Sequence, residues 1–152
     1  MTVVQYVSAD SVDAGALIAE LDVDLRARYP GIDFHTISLD ELLAPTSYFV
    51  VARVDGAVAG CGALRQREPG LMEVKRMFVR PAFRRRGVAR AVLEALEAQA
   101  RAVGATRLVL ETATGQPEAM ALYPSAGYRA IPRYGEYVDI EPSRCYEKVL
   151  GD

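Results

Sequence analysis

From Glu73 to Arg90 the chain reads Glu-Val-Lys-Arg-Met-Phe-Val-Arg-Pro-Ala-Phe-Arg-Arg-Arg-Gly-Val-Ala-Arg, and its periodicity changes midway. Up to Val79 it alternates as a strand does, which sets Val74, Arg76 and Phe78 on one face and Glu73, Lys75, Met77 and Val79 on the other. From Gly87 onward Val88, Val92, Ala95, Leu96, Gln99 and Val103 recur at helical spacing. Pro81 halts the strand, and Arg84, Arg85, Arg86 and Gly87 fill the turn between. A helix start carries unpaired N–H groups at the positive end of the dipole, so each arginine there is unfavourable by roughly 0.3–1 kcal/mol. No acid stands in this first turn to offset them. A bound polyanion does: N–H groups near Gly87 and Ala89 hydrogen-bond phosphate oxygens, and the guanidinium groups neutralise their charge. Gly87 has no side chain to hold the backbone away from the anion. The stretch is expected to be a phosphate cradle.

The net charge of −2 and a pI of about 5.5 give no global field for nucleic acid or an anionic membrane, so the basic cluster is a local device. With 152 residues there is room for one good core, and residues 1–152 are expected to form a single domain. Cys61, Cys145 and the lone His35 lack metal-ligand spacing, so no metal is expected. A reducing, cytoplasmic setting is expected from the same cysteine usage. No apolar run is long enough for a membrane span, and the first residues lack the charge and apolar core of a signal peptide.

Alternation predicts strands over Thr2 to Ser8, Ser47 to Val54, Ala57 to Arg65, Leu71 to Val79 and Arg107 to Thr112, with Asp55-Gly56 as a type I′ hairpin turn. Helical spacing predicts helices from Val12 to Arg28, from Leu39 to Leu43 and after Gly87. Three antiparallel strands followed by a strand–helix–strand unit argue for a mixed sheet. A helix opening at Pro117 is expected to stop near Gly127, or to end or kink after Tyr123 because Pro124 removes a helix hydrogen bond. Tyr128 to Pro132 and Arg144 to Leu150 are expected to close the sheet.

Arg84-x-x-Gly87-x-Ala89 resembles the Q/R-x-x-G-x-G/A signature of the GCN5-related N-acetyltransferases, the GNAT family. Gln116-Pro-Glu-Ala-Met-Ala-Leu-Tyr-Pro-Ser-Ala-Gly-Tyr128 resembles that family's N-x-x-A-x-x-L-Y-x-x-x-G-F/Y pattern, with Gln116 where Asn is usual. The resemblance spans about Tyr48 to Val149. It implies an acyl-CoA N-acyltransferase fold of α/β class: about seven strands, a central antiparallel meander, a splayed strand pair and flanking helices. It also implies acetyl-CoA as cosubstrate, its pyrophosphate at Arg84, Arg85, Arg86, Gly87, Val88, Ala89 and Arg90, with Gln116 in the motif beside it. Backbone groups of Met77, Phe78 and Val79 pair with the pantetheine amides as an added strand does.

An amine with a pKa near 10 is almost wholly ammonium at pH 7, a deficit of about 4 kcal/mol for attack on a thioester, so a base is required. The resemblance points to Glu73 as that base; alternatively Glu73 pairs with Lys75 or an arginine across the sheet. Tyr123, by its place in the second motif, is expected to donate a proton to the leaving thiolate. Tyr29, Phe34, Tyr134 and Tyr137, on two loops rich in acids and aromatics, are expected to bound a pocket for a small cationic amine. Cys61 has no histidine in its motif to activate it, which favours direct transfer in a ternary complex over an acetyl-cysteine route. A protein or peptide acetyltransferase and a non-catalytic acyl-CoA-binding module are the competing readings, and a homodimer is a possible assembly.

Overall fold

The computed structural model describes residues 1–31 and 37–151. The chain runs β1 (Thr2–Val7), α1 (Val12–Arg28), α2 (Leu39–Leu42), β2 (Tyr48–Val54), β3 (Ala57–Glu68), β4 (Leu71–Val79), α3 (Val88–Ala102), β5 (Arg107–Ala113), α4 (Pro117–Ser125), β6 (Arg129–Ile131) and β7 (Ser143–Val149). Short 3-10 turns lie at Pro81–Phe83 and Gly135–Tyr137. The strands form one sheet in the order β1-β2-β3-β4-β5-β7-β6, with β4 and β5 parallel and every other pair antiparallel.

Local chemistry sets these elements. Asp55 and Gly56 both have positive φ, 49° and 87°, the backbone twist a two-residue hairpin needs. Ser11 caps α1 by accepting from the Ala14 N–H, and Ser38 with Glu41 forms a capping box on α2. Two cores follow from the two faces of the sheet. Val50, Leu64, Val74, Leu108 and Leu110 pack against Val92, Leu93 and Leu96 of α3 and Tyr123 of α4. On the other face Phe49, Val51, Cys61, Ala63 and Phe78 meet Leu17 and Leu21 of α1 and Leu42 of α2. A β-carbon on Gly62 would lie 2.6 Å from Val92 Cγ1 and 2.8 Å from the Met77 sulfur, so only glycine lets α3 sit this close.

The strict alternation expected along β4 is broken. Arg76 has φ 57°, and the β3–β4 register slips between Cys61 and Ala63, the signature of a bulge. Val74 therefore lies in the α3 core while Phe78 lies in the α1 core, on opposite faces. The β4–β5 ladder closes at Val74 and Leu110, and β4 continues to Val79 without β5 beside it. That parting opens the sheet into a cleft.

α4 does not stop after Tyr123 but runs through Pro124 to Ser125. Pro124 falls in the last turn, where the helix closes through the Ala126 N–H to Leu122 and Tyr123 carbonyls, so its missing donor breaks nothing downstream. At the closing edge of the sheet β7 lies between β5 and β6.

Candidate active site

The parting of β4 and β5 forms a cleft of ≈ 590 Å³. At one end α3 begins at Gly87, with φ 77°, no side-chain cap and no acid in its first turn. Arg84, Arg85, Gly87, Val88, Ala89 and Arg90 line this end. The Arg84 Nε donates to the Val79 carbonyl at 3.1 Å, and Arg90 donates to the Ser125 hydroxyl at 2.6 Å. Arg86 is different: its guanidinium stacks 5.7 Å over the Phe83 ring and does not line the cleft. Arg80 is held by Glu20 on α1, at 3.0 and 2.7 Å, and by the Val58 carbonyl. An uncapped helix start with arginines beside it fits a pyrophosphate. The unpaired edge of β4, with Met77, Phe78 and Val79 lining the cleft, fits an extended amide-bearing chain.

Tyr123 lines the middle of the cleft and is 4% exposed. Its ring meets Tyr128 edge-on at 5.8 Å and lies 6.0 Å from Tyr146. Burial, then the charge of Glu111, push its phenol well above the usual range, which keeps the proton on the oxygen. Gln116 lines the same wall.

Glu73 does not reach the cleft lining. It is fully buried, with Oε1 taking Arg65 Nε at 2.7 Å and Arg67 Nη1 at 3.1 Å, and Oε2 accepting from the Tyr134 hydroxyl at 2.6 Å. Pairing with an arginine across the sheet, one of the two sequence alternatives, is thus present. Arg65 also binds Glu41 of α2 at 2.9 Å and Glu136 at 2.8 Å, and Arg67 binds Glu136 at 2.9 Å. Against the pull of burial, its own backbone N–H and these two arginines hold Glu136 down at about 2. The network straps the segment around Gly135–Tyr137 over β3 and β4, with the Arg67 guanidinium 5.0 Å over the Tyr134 ring.

The acceptor end holds residues that sequence reasoning passed over. Glu111, the residue after the last β4–β5 rung, lines the cleft and accepts a hydrogen bond from Ser143 Oγ at 2.7 Å. Burial raises its pKa to about 6, with the Ser143 hydroxyl and Lys75 opposing. Lys75 lines the cleft opposite and donates to the Tyr137 hydroxyl, its ammonium 5.1 Å from that ring's centroid. The signal for Glu111 was an acid ending the apolar run Leu108-Val-Leu, at the carboxyl end of a strand beside a sheet opening.

Of the expected acceptor walls, Tyr137 lines the cleft. Tyr134 is turned onto Glu73, and Tyr29 packs its ring against Gly115, its hydroxyl facing Gln116. Phe34 and His35 lie outside the described residues. Cys61 is fully buried, and burial pushes its thiol up to about 12. Among the described residues no group of three His, Cys, Asp or Glu is placed to hold a metal ion.

A sheet parted between two parallel strands, with an arginine-lined helix start at one end and ionisable groups at the other, fits an acyl-CoA-dependent acyltransferase. Residues 16–128 match the model of the acetyltransferase (GNAT) family. The chain is 43% identical over 135 residues to the IAA acetyltransferase of Azospirillum brasilense, covering 88% of each. Among solved structures, a candidate acyl-CoA N-acyltransferase from Klebsiella pneumoniae superposes with a TM-score of 0.83 at 30% identity, over 99% of both chains. A GNAT acetyltransferase from Elizabethkingia anophelis, solved with acetyl-CoA bound, shares the fold at TM-score 0.70 and 15% identity, over 98% of both. The chain belongs to the GNAT family and is an acetyl-CoA-dependent N-acetyltransferase.

Proposed function

We propose that the enzyme acetylates the amine of a small molecule by direct attack in a ternary complex, with Glu111 as the general base. The observation that carries this reading is the Glu111 carboxylate, buried in the cleft where β4 and β5 part and raised to about 6. Acetyl-CoA, held by the arginine-lined start of α3 and the free edge of β4, supplies an acetyl group activated as a thioester. Glu111 takes the proton of the acceptor ammonium. Its rise from the ordinary carboxylate range brings its basicity closer to that of an amine, by roughly 2 kcal/mol. Tyr123, kept protonated by burial, holds its hydroxyl hydrogen for the departing sulfur. Cys61, raised to about 12 inside the α1 core, has no thiolate to offer, which favours direct transfer. Glu73 acts as an anchor for the strap, and the two free buried cysteines suit a reducing cytoplasm.

A small acceptor is favoured because the strap around Gly135–Tyr137 is pinned over this end by Arg65 and Arg67, which narrows it to a pocket. The test is coenzyme A release across a panel of small amines and lysine peptides, using native protein, Glu111→Gln and Glu73→Gln. The expected result is turnover of small amines that Glu111→Gln lowers by roughly 10²–10⁴-fold. Turnover of peptides alone would favour the protein-acetyltransferase alternative; Glu111→Gln at native speed would return the base to Glu73.

A further inference from the structure

Away from the cradle arginines, Lys75 differs from its cationic neighbours in its pairing. Arg28 is paired with Asp24 and Glu118, Arg65 and Arg67 with Glu73 and Glu136, Arg76 with Asp22, and Arg80 with Glu20. Lys75 has no carboxylate partner among the described residues; its one hydrogen bond runs to the neutral Tyr137 phenol. The nearest acids on its own face are committed: Glu73 to two arginines and Tyr134, and Glu111 to Ser143. A half-buried ammonium without a counterion is disfavoured, and burial correspondingly pulls Lys75 below the usual lysine range.

Arg76, the next residue, is matched only in part, through its Nη2 contact with Asp22. Arg76, held with φ 57° at the bulge, lines the cleft and is 9% exposed, and its Nε is buried with no hydrogen-bond partner. A buried guanidinium N–H without an acceptor is costly and uncommon in native proteins. An ammonium on β4 without a carboxylate partner, beside the Glu111 carboxylate on β5, makes this end of the cleft dipolar.

We propose that the acceptor is an amino carboxylate, its amine directed at Glu111 and its carboxylate bound by Lys75. This rests on the small-molecule reading above and names its substrate class. It also revises the small cationic amine expected from the loops. A purely cationic amine leaves Lys75 facing like charge, whereas a carboxylate gives it a counterion.

The test is steady-state coenzyme A release by the full chain with L-amino acids, their amides and the matching decarboxylated amines. Native protein is expected to favour the carboxylate over its amide by at least roughly 10-fold in kcat/KM, the scale of one charge-assisted hydrogen bond. In Lys75→Met that preference collapses toward one, through KM for the carboxylates; Lys75→Arg keeps part of it. Calorimetry of native protein with N-acetylated amino acids and their amides reads the same preference without turnover, and covers the case of a variant that fails to fold. Preference for decarboxylated amines, or a carboxylate preference that survives Lys75→Met, overturns the inference and leaves small-molecule transfer standing. Turnover of lysine peptides with no small amine accepted overturns both.

Discussion

Lys75 and Glu111 are the first residues beyond the last rung of the β4–β5 ladder, and strand alternation sets both on the face that α1 covers. Each is tied elsewhere, Glu111 to the Ser143 hydroxyl and Lys75 to the Tyr137 phenol. Burial moves Glu111 up and Lys75 down, each toward its neutral form. Opposite charges held apart at the point where two strands separate give the acceptor end of the cleft its polarity.

A base at about 6 sets the acid side of the pH profile. Below that pH Glu111 is already protonated and can no longer take the acceptor proton. The expected outcome is a kcat limb falling about tenfold per pH unit below 6 in native protein, and its loss in Glu111→Gln. Buffer-matched initial rates from pH 5 to 9 measure it; an unchanged limb in Glu111→Gln excludes Glu111 as its source.

The same raised carboxyl has a stability signature of defined sign. Its folded pKa lies above the unfolded value, so its contribution is full below about 4.3 and is lost as pH rises through about 6. Glu111→Gln removes a charge that the fold tolerates poorly at neutral pH. The variant is expected to be more stable than native protein by about 1–2 kcal/mol at pH 7.5, with the difference gone by pH 4. Urea titrations at the two pH values read this directly, and a variant less stable at pH 7.5 contradicts it.

Tyr123 offers a donor with no hydrogen-bond partner among the described residues, on a ring wedged between Tyr128 and Tyr146. Tyr123→Phe keeps the ring and its packing. Turnover is expected to fall by roughly 10–10³-fold while acetyl-CoA affinity stays within about twofold. Equal turnover in the variant removes the hydroxyl from the reaction.

Glu73 is the residue whose deletion separates anchoring from chemistry. In Glu73→Ala, Arg65 and Arg67 lose a fully buried partner and Tyr134 loses its acceptor, a change expected to destabilise by about 3–5 kcal/mol. The residual activity is expected to keep the acidic limb near 6, since Glu111 is untouched. A limb abolished by this variant would falsify the anchoring role.

These contrasts mark what the residues alone made legible. The switch of period at Gly87, the Asp55-Gly56 turn and the apolar helix faces are local signals, and the hairpin, α1 and β4 lie where those signals put them. The bulge at Arg76 was hidden because it arises where the β3–β4 register slips between Cys61 and Ala63, not from any residue preference in β4. Glu73 drew attention by its place in a motif, yet its environment is made by Arg65, Arg67 and Tyr134, the last far along the chain. Glu111 reads as a strand residue until β4 parts from β5 beside it. Long-range burial, which no local pattern encodes, decides which acid is free.

The cradle itself separates arginines that the sequence presents as equals. Arg85 lines the cleft, while Arg86 lies over Phe83 outside it. Replacing Arg85 with alanine is expected to raise the dissociation constant for coenzyme A by roughly 10-fold or more, because one charge-assisted contact to the pyrophosphate is lost. Arg86→Ala is expected to stay within about twofold. Gly87→Ala forces a β-carbon into a left-handed backbone of φ 77°, costing about 1–2 kcal/mol of stability and tilting the N–H groups that begin α3. Calorimetric titration of coenzyme A into the three variants ranks them; if Arg86→Ala weakens binding as much as Arg85→Ala, the anion is held by the whole cluster's field and not by the side chains that face the cleft.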